Sequence, residues 1–232
     1  MSTFSLPTPP NFRGLDPDLP VRRYERHLPH WRQEGATYFV TFRLADALPQ
    51  SKLELLKRMR NEWERTHPPP RSDSVWEQWA RTATNHVESW TDEGCGACWY
   101  REPRWAKELV DRLMHFQNSR HFTSCFVIMP NHCHTVIRPF SGHELEDLLQ
   151  GVKSMTSRAI HEVAGTSGSL WQQESYDRII RDEEHLWQVI QYIGRNPRQA
   201  GLPLASTPRW IDPDWQALGW NFRDDGNLAT NP

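Results

Sequence analysis

No apolar run in the 232 residues approaches the roughly 18 needed to cross a membrane. The opening M-S-T-F-S-L-P-T-P-P also lacks the charged and apolar regions of a secretory leader, so the expectation is a cytoplasmic chain without a membrane partner. Cysteine is scarce, four in all, which argues against a disulfide framework and leaves thiols or a metal site. An excess of one charge is missing too: 27 Lys and Arg face 29 Asp and Glu, for a net charge of -2. That balance excludes a strongly basic nucleic-acid coat, so any nucleic-acid contact must come from local patches. No Gly-x-Ser-x-Gly motif points to acyl transfer, and no internal repeat is evident.

What the chain has in excess is tryptophan, twelve residues, whose large flat rings serve core packing or base stacking. Its length suits one domain with tails or a large insertion. Residues 1–30 hold six prolines and a cluster of Arg22, Arg23, Arg26 and His27, and read as a poorly structured basic arm. In A-T-Y-F-V-T-F-R-L, Tyr38, Val40, Phe42 and Leu44 alternate with Thr37, Thr41 and Arg43, the period of a half-buried strand. Ser51 can cap a helix carrying Leu53, Leu55, Leu56 and Met59 and ending at His67-Pro. Residues 68–104 read as a Trp/Pro-rich insertion with short helical pieces, followed by a helix over 103–117.

The runs 121–129 and 132–138, separated by Pro130-Asn131, predict a β-hairpin; a helix over 143–162 and a short strand over 178–181 follow. Asp182 caps a last helix with Leu186, Val189, Ile190 and Ile193 as its apolar stripe, and Asn196-Pro197 should stop it. Residues 206–232 read as an irregular tail. The order of elements predicts an α+β ferredoxin-like sandwich, an antiparallel sheet with helices on one face, formed by residues 31–205.

In M-P-N-H-C-H-T-V-I-R-P, His132 and His134 fall on one strand face and can reach one cation together, with Cys133 pointing the other way. Taken alone, such a pair is more often two polar residues on an exposed sheet face. On the last helix His185, Gln188, Tyr192 and Asn196 form a polar stripe, and Tyr192 and Asn196 are i, i+4 neighbours. A phenol facing a divalent ion held by His132, His134 and Asn196 has the parts for in-line attack on a phosphodiester. The bland alternative is that Tyr192 borders the core and Asn196 ends a helix.

The segments T-Y-F-V-T-F-R-L, M-P-N-H-C-H-T-V-I-R-P, L-W-Q-Q-E-S-Y-D-R-I-I-R-D-E-E-H-L and Y-I-G-R-N-P-R-Q-A-G-L resemble, in order, the single-tyrosine HUH transposases, and most closely the REP-associated tyrosine transposases. The likeness covers residues 31–205 and includes G-C-G-A-C-W in the insertion. It implies a nucleoid-associated DNA strand transferase that cuts single-stranded or hairpin DNA with Mg²⁺ or Mn²⁺, forming a 5′-phosphotyrosine bond. By motif position His132 and His134 are the HUH pair, Tyr192 the nucleophile and Asn196 a third ligand. V-K-S-M-T-S and R-Q-A-G-L depart from the family pattern and put fine DNA recognition in doubt more than chemistry.

Tyr176, in Ser-Tyr-Asp-Arg, is a rival nucleophile that shares no helical face with a ligand, and is read as structural or DNA-proximal. Lys153, Arg158, Arg178, Arg181, Arg195 and Arg198 are candidate phosphate contacts, and Trp171 or a Trp of the insertion a candidate stacking platform. A second reading takes Cys95-Gly-Ala-Cys98, with Cys125, Cys133 or the histidines, as a structural zinc site in a DNA-binding module. A third keeps the fold without strand transfer, as a regulator or a hydrolase. Either a monomer or a homodimer fits the sequence.

Overall fold

The computed structural model describes residues 4–25 and 29–224. Arg26 and His27 of the basic arm, and residues 225–232 of the tail, lie outside the described residues. In chain order the strands and helices are β1 (Arg22–Glu25), β2 (Pro29–Arg32), β3 (Tyr38–Arg43), α1 (Gln50–Thr66), α2 (Asp73–Asp92), α3 (Pro103–Met114), β4 (His121–Ile128), β5 (His132–Pro139), α4 (Leu145–Ala164), β6 (Tyr176–Ile179), α5 (Glu183–Gln199), β7 (Arg209–Ile211) and α6 (Pro213–Ala217). The main sheet is antiparallel in the order β6-β3-β5-β4-β7. Its first four strands have the arrangement of a ferredoxin-like unit, so the α+β expectation holds.

The crossover helices α3 and α4 cover one face, where Val40, Phe42, Cys133 and Ile137 meet Leu109, Leu113, Leu149 and Ile160. Helices on one face only is not what forms. On the opposite face Phe39, Val127 and Val136 pack against Leu186, Val189, Ile190 and Ile193 of α5 and against Trp215 and Trp220. β3 is therefore buried on both sides, and Thr41 and Arg43 face a second layer where a half-buried strand was expected. Apolar residues alternate along β3 only from Tyr38 to Leu44, with Phe39 on the other face, so the second covering was weakly coded.

Three further expectations need correction. Helix α1 buries no residue and starts at Gln50 without a side-chain cap, so Ser51 does not cap it. It pairs with α2 through Trp63, whose ring lies 5.0 Å from Trp76 and 5.3 Å from Trp79. Between β3 and β4 the two helices form a hairpin over 50–92, and within 68–104 one 20-residue helix replaces the short pieces expected. Helix α5 continues to Gln199 through Pro197, because a proline in the last turn removes one N–H while Ala200 still donates to Asn196 O at 3.1 Å.

The described part of the arm is docked. Phe12 is buried, the Leu15 N–H donates to Ile180 O and Arg181 O, and the indoles of Trp215 and Trp220 donate to Pro10 O and Pro7 O at 2.8 and 3.0 Å. Tail residues 209–217 likewise add β7 to the sheet edge and α6 to the core. Prolines remove donors but leave carbonyls, and here two of those carbonyls accept from tryptophans. The β1–β2 hairpin is held by a buried ionic cluster: Asp177 of β6 accepts from His30 at 2.8 Å and from Arg32 at 2.9 Å, and His30 also reaches Glu174 at 2.8 Å.

Candidate functional site: a buried histidine pair, a tyrosine and an amide

The register of β3 against β5 sets Thr41 beside His134 and Arg43 beside His132, all directed to the α5 face. His132 and His134 are 2% and 1% exposed, so the exposed-surface alternative does not hold. Asn131, at the tip of the β4–β5 hairpin, aims its Oδ1 at His132 Nδ1 (2.8 Å), while its Nδ2 donates to Thr91 O and Cys95 O at 3.1 and 3.0 Å. An amide oxygen only accepts, so His132 Nδ1 carries the proton and its Nε2 lone pair is free. Thr41 Oγ1 lies 2.8 Å from His134 Nδ1. The two Nε2 atoms converge at 3.1 Å, an arrangement that needs a proton or a cation between them.

Helix α5 supplies the rest. Asp182 caps it, accepting from the His185 N–H at 2.7 Å. Tyr192 Oη lies 3.5 Å from His134 Nε2, and its ring meets those of His134 and Phe39 edge-on. One turn on, Asn196 is 1% exposed, and neither amide atom has a hydrogen-bond partner among the described residues. Its amide is nonetheless close enough to both imidazoles to favour their protonated forms. An amide left so, at a cost of about 1–3 kcal/mol, beside two converging imidazole nitrogens could serve as an N,N,O donor set for a cation. The 3.1 Å gap suits two nitrogens about 2.1 Å from one ion. Among the described residues no group of three or more His, Cys, Asp or Glu could hold a metal ion.

The sequence reading missed the residues that α2 brings. Asp92 Oδ1 stands 3.8 Å from His132 Nε2, and Glu88, one turn earlier, is near enough to the Tyr192 hydroxyl to act on it. Burial raises both carboxyls, Asp92 to about 6 with Glu88 adding to it, and Glu88 against the pull of Arg43 and Tyr192. Burial and these two carboxylates push the Tyr192 phenol well above its ordinary value, opposed by Arg43. Burial and the Arg43 charge lower His132 to about 3, and burial, His132 and Arg43 lower His134, so both rings are neutral. A Glu/Asp pair at i, i+4 was the available signal, but such pairs usually line a solvated helix face.

The candidate phosphate contacts separate into groups. Arg178 and Arg181 line a cavity of about 610 Å³ that runs from Tyr192 between α2, β6 and α5. Arg195 is half-buried and Arg198 exposed at the end of α5, where Arg198 donates to Asp224 O. Lys153 and Arg158 are on α4, across the sheet from the histidines. Lys153 is turned inward, its ammonium between Gln172 O and Gln173 O at 3.0 and 3.3 Å, and burial lowers it to about 8. It does not offer the free cation expected of it. Trp171 is buried between Phe42 and Tyr100 and is a core residue. Tyr176 lines the cavity from β6.

The zinc reading does not assemble. All four cysteines are free thiols; Cys125 and Cys133 face opposite sides of the sheet, and Cys98 Sγ points to Gly94 O at 3.2 Å.

Fold and site define an α+β protein with a buried His-His-Asn-Tyr cluster under a carboxylate-bearing helix. No protein-family model matches the chain, and no curated protein matches it. Among solved structures, a REP-associated tyrosine transposase bound to a REP hairpin is similar at a TM-score of 0.36 and 15% identity, over 78% of this chain and 74% of that one. A likeness of that size carries no argument about function. No helix among the described residues is long and apolar enough to cross a membrane.

Proposed function

We propose that this chain is a metal-dependent, HUH-type tyrosine strand transferase that cuts and rejoins single-stranded DNA beside hairpin repeats. The reading rests on the sequence resemblance and, above all, on one observation: Tyr192 Oη lies 3.5 Å from His134 Nε2, where two imidazole nitrogens and an unpartnered amide converge. His132, His134 and Asn196 would hold the cation, Mn²⁺ or Mg²⁺, with the two nitrogens favouring Mn²⁺. When bound, such an ion polarises the phosphate oxygens.

The chain's own residues do the remaining work. Asn131 and Thr41 fix the two rings, and α2 sets Asp92 3.8 Å from His132. Glu88, the carboxylate that acts most on the Tyr192 hydroxyl, accepts its proton. The Tyr192 oxygen then bonds to phosphorus, the phosphorus–O3′ bond breaks, and the departing 3′ oxygen takes a proton from water. Rejoining reverses these steps, with the protonated Glu88 returning its proton to the phenol oxygen. Arg43, buried beside Glu88 and Tyr192, offsets the negative charge.

Incubation with single-stranded hairpin oligonucleotides and Mn²⁺ or Mg²⁺ tests the reading. An SDS-resistant protein–DNA adduct should form and vanish in Tyr192→Phe. Cutting without an adduct, binding without cutting, or an adduct that survives Tyr192→Phe overturns it; the first two outcomes identify a hydrolase and a regulator respectively.

A further inference from the structure

The cavity that opens at Tyr192 has a composition the transfer chemistry leaves unexplained. Its volume of about 610 Å³ falls among those of small-ligand sites. Its apolar walls are aromatic: Phe39 on β3, Trp31 on β2, Trp76 on α2 and Tyr176 on β6. Trp76 and Trp31 are half-exposed, unlike Trp79, Trp90 and Trp171, which are buried. The polar walls are rich in donors, with Arg81 and Asn85 from α2, Arg178 and Arg181 from β6 and its exit, and Gln188 from α5.

His185 is the decisive residue. It lines the cavity and is 4% exposed, and its Nδ1 accepts from the Arg181 N–H at 3.1 Å. Burial, with Arg178 and Arg181 nearby, lowers this histidine to about 4, so the ring is neutral and its one proton sits on Nε2. That Nε2–H has no acceptor among the described residues. A buried donor in a cavity edged by guanidinium groups calls for a ligand carrying acceptors. The acidic members are otherwise engaged, Asp177 with His30 and Arg32 and Glu88 with Tyr192, which leaves Glu77 at the exposed edge.

We propose that this cavity binds one unpaired nucleotide of a DNA strand, its base against the aromatic walls and its phosphate at Arg178 and Arg181. Flat rings take the face of any base, guanidinium groups take the phosphate, and the His185 Nε2–H and the two amides meet acceptors on the base or sugar. A base that is paired and stacked in a duplex is not available to a pocket of this size. The assignment rests on the proposed transfer for the choice of nucleic acid, and it sets the nucleotide beside the bond that Tyr192 attacks.

Binding by the full-length Tyr192→Phe protein separates the two ideas. A fluorescently labelled single-stranded oligonucleotide pool should bind at least tenfold more tightly than an abasic phosphodiester strand of equal length, and more tightly than duplex. Trp76→Ala should remove most of that difference. Because Trp76 also touches Trp63, the exposed pair Asn85→Ala and Gln188→Ala should weaken base-bearing strands severalfold while abasic binding is unchanged. Equal affinity for base-bearing and abasic strands, or base selectivity untouched by all three substitutions, overturns the nucleotide site. Base-selective binding by a wild type that forms no adduct supports the site and sinks the transfer reading; an adduct without base selectivity does the reverse.

Discussion

Tyr192 is held in the form least ready to attack, since burial and two neighbouring carboxylates keep its proton on. As the proposed nucleophile it needs a specific acceptor, and of the two carboxylates Glu88 acts more strongly on its hydroxyl. Glu88→Gln keeps an oxygen near the phenol but cannot take a proton. Adduct formation should slow by about a hundredfold, the scale of one general base, while Mn²⁺ binding by calorimetry stays as in the wild type. An unimpaired rate would mean the proton leaves by another route. At this scale four residues of the candidate cluster were legible, because His132-x-His134 and Tyr192-x-x-x-Asn196 are short patterns with a family resemblance behind them. Glu88, Asp92, Arg43 and Asn131 were not: each is an ordinary polar residue until the fold sets it against the histidines.

Among the elements, the N-terminal segment and the tail diverge most from their sequences. Both look irregular, yet they close the α5 face, and α5 carries Tyr192 and Asn196. A Cβ at Gly14 would stand 2.3 Å from the backbone carbonyl oxygen of Arg181, just before α5 begins. Gly14→Ala should therefore destabilise the protein by about 1–3 kcal/mol, read as a lower melting temperature; an unchanged transition would show that this segment does not dock. Trp215 is fully buried and donates to Pro10 O, so Trp215→Ala should cost about 3–5 kcal/mol by chemical denaturation. A tail that was truly loose would lose almost nothing. Helix α2 shows the opposite case, since its length was obscured by a Trp-rich stretch without a clear period, and only the rings of Trp76 and Trp79 against Trp63 explain it.

For the molecule as a whole, two buried histidines set opposite pH limits. Burial alone would lower His30, but its hydrogen bonds to Asp177 and Glu174 raise it to about 9. Its folded value exceeds the unfolded one near 6.5, so this contribution is complete below about pH 6.5 and is lost as pH rises through 9. His185 is lowered to about 4, so the unfolded chain takes up its proton first, and stability falls as pH drops from about 6.5 towards 4. Unfolding by denaturant across this range should show greatest stability near neutrality, and His30→Gln should flatten the alkaline limb. A limb unchanged by that substitution would place the alkaline loss elsewhere.

Strand alternation, the Asp182 cap, the β4–β5 hairpin and the spacing of the two histidines were determined by the sequence itself, because each depends on residues within a turn or a strand of one another. The tertiary structure decided what those pieces face. Asn131 meets Thr91 across 40 residues and Tyr192 meets His134 across 58, and Asp177 meets His30 across 147. Contacts that distant are made by packing two layers on one sheet, and no local period records which polar residue will be enclosed between them.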